Sequence, residues 1–174
     1  FKGNKRYFTL AIPNTEVATV YHDQISRWFD ATVEQSDIPQ EFVRALIAGD
    51  KETAQKHLST MLMKSISYFD NAESYYHGFL TALFVKVGDY EVKSNRETGD
   101  GRCDIFMRPY LRKQPVIIIE AKIAPAYSAL EAKCQEALQQ IETKRYADEF
   151  LEDGYTHFLK YGIAFYKKEC QICL

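Results

Sequence analysis

The chain has 174 residues, enough for one domain with a buried core. Hydrophobic residues make up 46% of it and aromatic residues 14%, which excludes an intrinsically disordered chain. The formal net charge of -2 gives no global attraction to nucleic acid, so affinity for a phosphate backbone has to come from a local basic rim.

No apolar run approaches the roughly 20 residues needed to cross a bilayer. The start, Phe1-Lys2-Gly3-Asn4-Lys5-Arg6, lacks the apolar stretch of a signal peptide. Both observations lead us to expect a cytoplasmic protein without a membrane partner. The first residue is not Met, which points to a piece of a longer protein. Four cysteines in this length fit free intracellular thiols better than a disulfide scaffold.

In chain order, Phe8-Thr9-Leu10-Ala11-Ile12 reads as a short extended segment stopped by Pro13. Asn14 can cap a helix over 14–29, with Val17, Val20, Tyr21, Ile25, Trp28 and Phe29 on one stripe. Pro39 suits the first turn of a second helix, with Phe42, Val43, Leu46 and Ile47 inward and Gly49 ending it. A third helix is expected over 51–67, with Ala54, Leu58, Met61, Leu62 and Ile66 inward. Asp70 or Asn71 caps a fourth, which carries Glu73, Tyr76, His77, Leu80 and Phe84 and ends near Gly88.

The period then changes. Segments 90–94, 102–108 and 116–122 read as three strands, joined by the turn-rich stretches 95–101 and 109–115. A long helix is predicted over 126–152, with Leu130, Ala137, Leu138, Ile141 and Phe150 on its stripe and Gly154 ending it. Two strands follow, 161–166 and 169–174. The expected division is a helical N-terminal extension over 1–70, packed on an α/β core over 71–174.

The strand at 116–122 carries the chemistry. Val116-Ile117-Ile118-Ile119 is followed by Glu120-Ala121-Lys122. A buried strand rarely ends in a glutamate and a lysine, because both are costly to desolvate without a compensating partner. Alternation puts Glu120 and Lys122 on one face. If the segment around Asp104 is the neighbouring strand, two carboxylates and one amine share a patch. Asp104 and Glu120 are hard oxygen donors suited to Mg2+ or Mn2+, and phosphodiester hydrolysis is a reaction such a patch can serve.

The order helix, three strands, helix, strand, together with Glu73, Asp104 and Glu120-Ala121-Lys122, resembles the PD-(D/E)XK nuclease superfamily. The likeness is closest to the bacterial subgroup found C-terminal to AAA-ATPase-like domains. It is carried by Leu10-Ala11-Ile12-Pro13-Asn14, Tyr75-Tyr76-His77-Gly78, Ser94-Asn95-Arg96-Glu97-Thr98-Gly99, Gly101-Arg102-Cys103-Asp104-Ile105, Ile118-Ile119-Glu120-Ala121-Lys122 and Tyr161-Gly162-Ile163-Ala164-Phe165. No Pro precedes Asp104, where the superfamily name would place one.

The resemblance implies a restriction-endonuclease-like αβββαβ core with a mixed sheet. It also implies a metal-dependent nuclease acting on DNA, with an upstream AAA-ATPase-like partner domain, and leaves a homo-oligomer open. It implies metal ligation by Asp104, Glu120 and the Ala121 carbonyl, with Glu73 as a further acid acting directly or through water. Lys122 would orient the attacking water or stabilise phosphate charge. Gln140 would be the glutamine that members carry on the helix after this strand, and Tyr146 the tyrosine that some add. Arg96, Arg102 and Lys144 are candidate phosphate contacts. A catalytically silent nucleic-acid- or protein-binding module, regulating an upstream ATPase-like domain, is the alternative.

Three features read as structural. His77, one turn after Glu73, fits a hydrogen-bonding helix histidine better than a ligand. Cys170 and Cys173 stand three apart in a strand, hence on opposite faces, which disfavours shared chelation. Trp28-Phe29 and Tyr75-Tyr76 read as core.

Overall fold

The computed structural model describes residues 37–65, 73–85, 87–98 and 101–174, all within one compact unit, Ser36–Leu174. The predicted strand at 8–12, the helix at 14–29 and the cap at Asp70 or Asn71 lie outside the described residues.

Helix α1 (Ile38–Ala48) has Pro39 in its first turn, where a missing N–H costs nothing. Gly49 ends it in the left-handed region at φ 77°, donating to Leu46 O while Asp50 N donates to Ala45 O. Asp50 Oδ1 then accepts from Thr53 N at 3.0 Å and caps α2 (Lys51–Ser65). One corner thus closes a helix and opens the next. Phe42, Val43, Ala45 and Leu46 of α1 and Ala54, Leu58, Met61 and Leu62 of α2 are buried. Ile47, expected inward, is only half-buried, and Ala45 takes the inward position.

Helix α3 (Glu73–Val85) buries Tyr76, Phe79, Leu80, Leu83 and Phe84. Five strands follow: β1 (Tyr90–Thr98), β2 (Gly101–Pro109), β3 (Val116–Ile123), β4 (Phe158–Tyr166) and β5 (Glu169–Cys173). They form one sheet in that order. All neighbours are antiparallel except β3 and β4, which are parallel. The sheet is therefore mixed, and its parallel pair needs a crossover. The crossover is helical: a 3-10 turn (Tyr127–Ala129), α4 (Leu130–Thr143) and α5 (Asp148–Glu152).

Residues 116–119 are fully buried. β3 is a central strand touched by both α3 and α4, which explains a continuous apolar run instead of alternation. Val116 and Ile118 pack with Phe106, Ile141, Tyr146 and Phe150. On α1 and α2, Tyr161 OH donates to Leu46 O at 2.7 Å and Gln55 Oε1 accepts from Ile172 N at 2.9 Å. Gly162 of β4 lets α4 approach the strand closely: a Cβ there would meet Cys134 O at 2.2 Å and Leu138 N at 2.9 Å. Only glycine allows that approach.

Two predicted elements need correction. Strand β1 does not stop at Ser94; it runs on, with Arg96 opposite Cys103 and Thr98 opposite Gly101. Pairing with β2 overrides the weak strand preference of Asn95 and Glu97. The long helix over 126–152 is also broken. At about 100° per residue, Phe150 would sit half a turn away from Ile141 in a continuous helix. The chain resolves this with Arg145 at φ 55°, in the left-handed region, after α4. The turn returns Tyr146, Ala147 and Phe150 to the core, and their burial offsets the roughly 1–2 kcal/mol of an unfavourable backbone conformation. Among the described residues, no helix is long and apolar enough to cross a membrane.

Candidate active site

Strand β3 changes character at Glu120. Glu120 and Lys122 share the face of Val116 and Ile118, the one covered by α4. The β2–β3 ladder runs through Met107↔Ile117 and Phe106↔Ile118 and stops at Ile105↔Ile119. One further step would set Asp104 opposite Glu120 on the same face. In place of a ladder bond, Ala121 N donates to Asp104 Oδ2 at 2.9 Å. A side-chain carboxylate stands in for a main-chain carbonyl.

Gln140 of α4 closes the group from above. Its Nε2 donates to Glu120 Oε1 at 2.5 Å and to Tyr146 OH at 3.2 Å, while its Oε1 accepts from Lys122 Nζ at 2.6 Å. Lys122 Nζ also donates to Glu120 Oε1 at 3.3 Å. An amide between a carboxylate and an ammonium fits one way round: nitrogen to the anion, oxygen to the cation. Tyr146 is buried and reaches Gln140 because of the left-handed turn at Arg145.

Glu120 is 3% exposed, and its Oε2 is buried with no hydrogen-bond partner. Burial, and then the negative charge of Asp104, push its carboxyl up to about 7. The charge and hydrogen bond of Lys122, with a smaller contribution from the Asp104 main chain, oppose this only in part. A buried carboxylate oxygen without a donor is what a cation site leaves for its ion. The donor set fits a hard divalent cation: Glu120 Oε2, the Asp104 carboxylate and the Ala121 carbonyl are all oxygens. Among the described residues, no three His, Cys, Asp or Glu side chains converge, so the two carboxylates would need other oxygens to complete a shell.

The remaining candidates are placed as follows. Glu73 opens α3, and its side chain lies outside the described residues. Arg96 and Arg102 sit on the β1–β2 hairpin beyond Asp104, with Arg96 opposite Cys103 and Glu97 opposite Arg102. Their side chains also lie outside the described residues. Lys144 is exposed just past α4, where its N–H bonds Gln140 O. Among the described residues, nothing ties its side chain to the site.

Sequence reasoning read His77 as a hydrogen-bonding histidine but left its partner open, and it passed over Glu136. His77 Nε2 lies 3.0 Å from Asp104 O. A carbonyl only accepts, so Nε2 carries the hydrogen and donates. Glu136 lies one helical turn before Gln140. Its carboxyl is held below the ordinary range by a hydrogen bond from Lys133, then by the charges of Lys133 and Lys122. The i−4 spacing from Gln140 is the signal that would have found it. Cys170 meets Ser59 of α2 at 3.3 Å and Cys173 meets Gln135 of α4 at 3.3 Å, so the two thiols face opposite sides of the sheet.

A family model of the PD-(D/E)XK nuclease superfamily matches residues 71–174, and within that span Asp104 and Glu120-Ala121-Lys122 meet in space. The chain belongs to this superfamily. PD-(D/E)XK proteins are in general metal-dependent nucleases, and the mixed five-stranded sheet with its helices is a restriction-endonuclease-like core of that kind. No curated protein matches the chain.

Proposed function

We propose that this chain is a divalent-metal-dependent nuclease that hydrolyses phosphodiester bonds in DNA. The supporting observation is the buried Glu120, with one orphaned oxygen, beside both Asp104 and Lys122. Asp104, Glu120, the Ala121 carbonyl and Glu73 would hold Mg2+ or Mn2+. Bound there, the ion would neutralise phosphate charge and make water a better nucleophile.

The side chains do the rest. Lys122 brings a positive charge to the phosphate or orients the attacking water, and Gln140 holds its ammonium in place. Gln140 also fixes one oxygen of Glu120, leaving the other directed away from the amide. Arg96, Arg102 and Lys144 would supply the local basic rim that a chain of net charge -2 needs for DNA. The proposal includes a cytoplasmic location, a helical N-terminal extension over 1–70 on a nuclease core over 71–174, and an upstream AAA-ATPase-like domain in the full protein.

The test is cleavage of single-stranded, double-stranded and branched DNA by the 174-residue chain, with Mg2+, Mn2+ or EDTA. Metal-dependent cleavage is expected. Asp104→Ala and Lys122→Ala should each lower it about 100- to 1000-fold without a change in circular dichroism. Equal cleavage by wild type and both variants would remove the proposal.

A further inference from the structure

Asp104 occupies an unusual place in β2. The register with β1 steps from Ser94↔Ile105 to Arg96↔Cys103, and the register with β3 stops at Ile105↔Ile119. The β1 register continues unbroken across Asp104, but the β3 ladder ends one residue before it, although its carboxylate must meet Ala121 N–H accurately. Beyond the last β3 pair, the Asp104 carbonyl still needs a hydrogen-bond donor. His77 supplies it by donating Nε2–H to the Asp104 carbonyl at 3.0 Å.

The imidazole comes from a rigid support. Tyr76, the preceding residue of α3, stacks on Phe165 of β4 with ring centroids 4.4 Å apart, and its OH donates to Lys167 O at 2.7 Å. The helix is thus clamped to the β4–β5 end of the sheet. The next side chain reaches the opposite side of β3, to β2. We propose that His77 is a positioning residue: its bond to the Asp104 carbonyl holds the β2 main chain so that the carboxylate enters the site. The bond rests on geometry alone. Its value for catalysis rests on the nuclease reading above.

His77→Leu removes the donor. His77→Gln places an amide nitrogen near the position of Nε2, whereas His77→Asn is too short to do so. Two readouts separate this role from a merely structural one. The first is hydrogen exchange of the Ala121 amide in the metal-free chain, followed by NMR. The second is Mn2+ affinity by calorimetry. In His77→Leu and His77→Asn, Ala121 should exchange about tenfold faster. Mn2+ affinity should fall about 10- to 100-fold, the range for groups that orient metal ligands. His77→Gln should stay close to wild type in both.

Wild-type protection of Ala121 in His77→Leu, or a Gln variant no better than the Asn variant, overturns the proposal. If His77→Leu fails to fold, the Gln and Asn pair decides. If wild type binds no Mn2+, the nuclease reading fails, and Ala121 exchange still decides whether His77 positions Asp104.

Discussion

The two halves of β3 obey different rules. Residues 116–119 are apolar, fully buried and flanked by strands on both sides. From Glu120 the strand keeps its pairing with β4 but has lost β2. There the Asp104 carboxylate accepts the Ala121 N–H that a neighbouring strand would have paired, and Gln140 ties the Glu120 and Lys122 side chains together. The first half is held by packing, which tolerates no polar atom. The second is held by side-chain hydrogen bonds, which leave one carboxylate oxygen unsatisfied. The packed core and the polar cluster are adjacent on one strand because the ladder ends between them.

The sharpest way to break the first half is Ile118→Ala, which removes buried methyls from a site with no exposure. We expect a loss of about 4 kcal/mol in denaturant melts. A loss comparable to that of an exposed residue would contradict the packing argument.

The second half should show itself through pH. The Glu120 carboxyl rises from an ordinary 4.5 to about 7 in the folded chain. A raised carboxyl favours folding fully below the ordinary value, and that contribution is lost as pH climbs through about 7. For the metal-free protein the change is worth about 3 kcal/mol. Glu120→Gln should lack it. Melts of both proteins from about pH 4 to about pH 8 should therefore diverge, the variant gaining relative stability at the alkaline end. Parallel curves would mean that Glu120 is not desolvated as described.

Gly162→Ala tests the helix that completes the site. Its Cβ would collide with the Cys134 carbonyl, so α4 must retreat. Overpacking of this kind costs about 2 kcal/mol, and Gln140 should move with the helix. Loss of stability with full cleavage activity would show that the site tolerates the displacement. The smallest effect should come from Tyr146→Phe, which deletes one hydrogen bond at Gln140 and costs about 1 kcal/mol. A melting temperature equal to wild type would place that hydroxyl outside the network.

Much of this arrangement was legible in the chain because it is written in local periods. The run ending in Glu120-Ala121-Lys122, the helix stripes through Phe42 and Leu58, and the αβββαβ order all follow from spacing. Alternation puts Glu120 and Lys122 on one face, and pairing of their strand with the segment around Asp104 adds the second carboxylate, whereas Gln140 was expected there only from the family resemblance. What was not legible depends on contacts distant in sequence. Asn95 and Glu97 look like turn residues until β2 is beside them. The left-handed Arg145 has no sequence mark of its own; it exists because Ile141 and Phe150 must face one core. The partner of His77 lies 27 residues away on another element, beyond the reach of helical spacing.

The bond from Ala121 N–H to Asp104 also bears on ion capture. A free aspartate samples several rotamers and forfeits that freedom when it grips an ion. Here one oxygen is already immobilised by the main chain, so the entropy was surrendered during folding. An arriving cation would meet a carboxylate with little left to order, and more of the intrinsic attraction would survive as affinity.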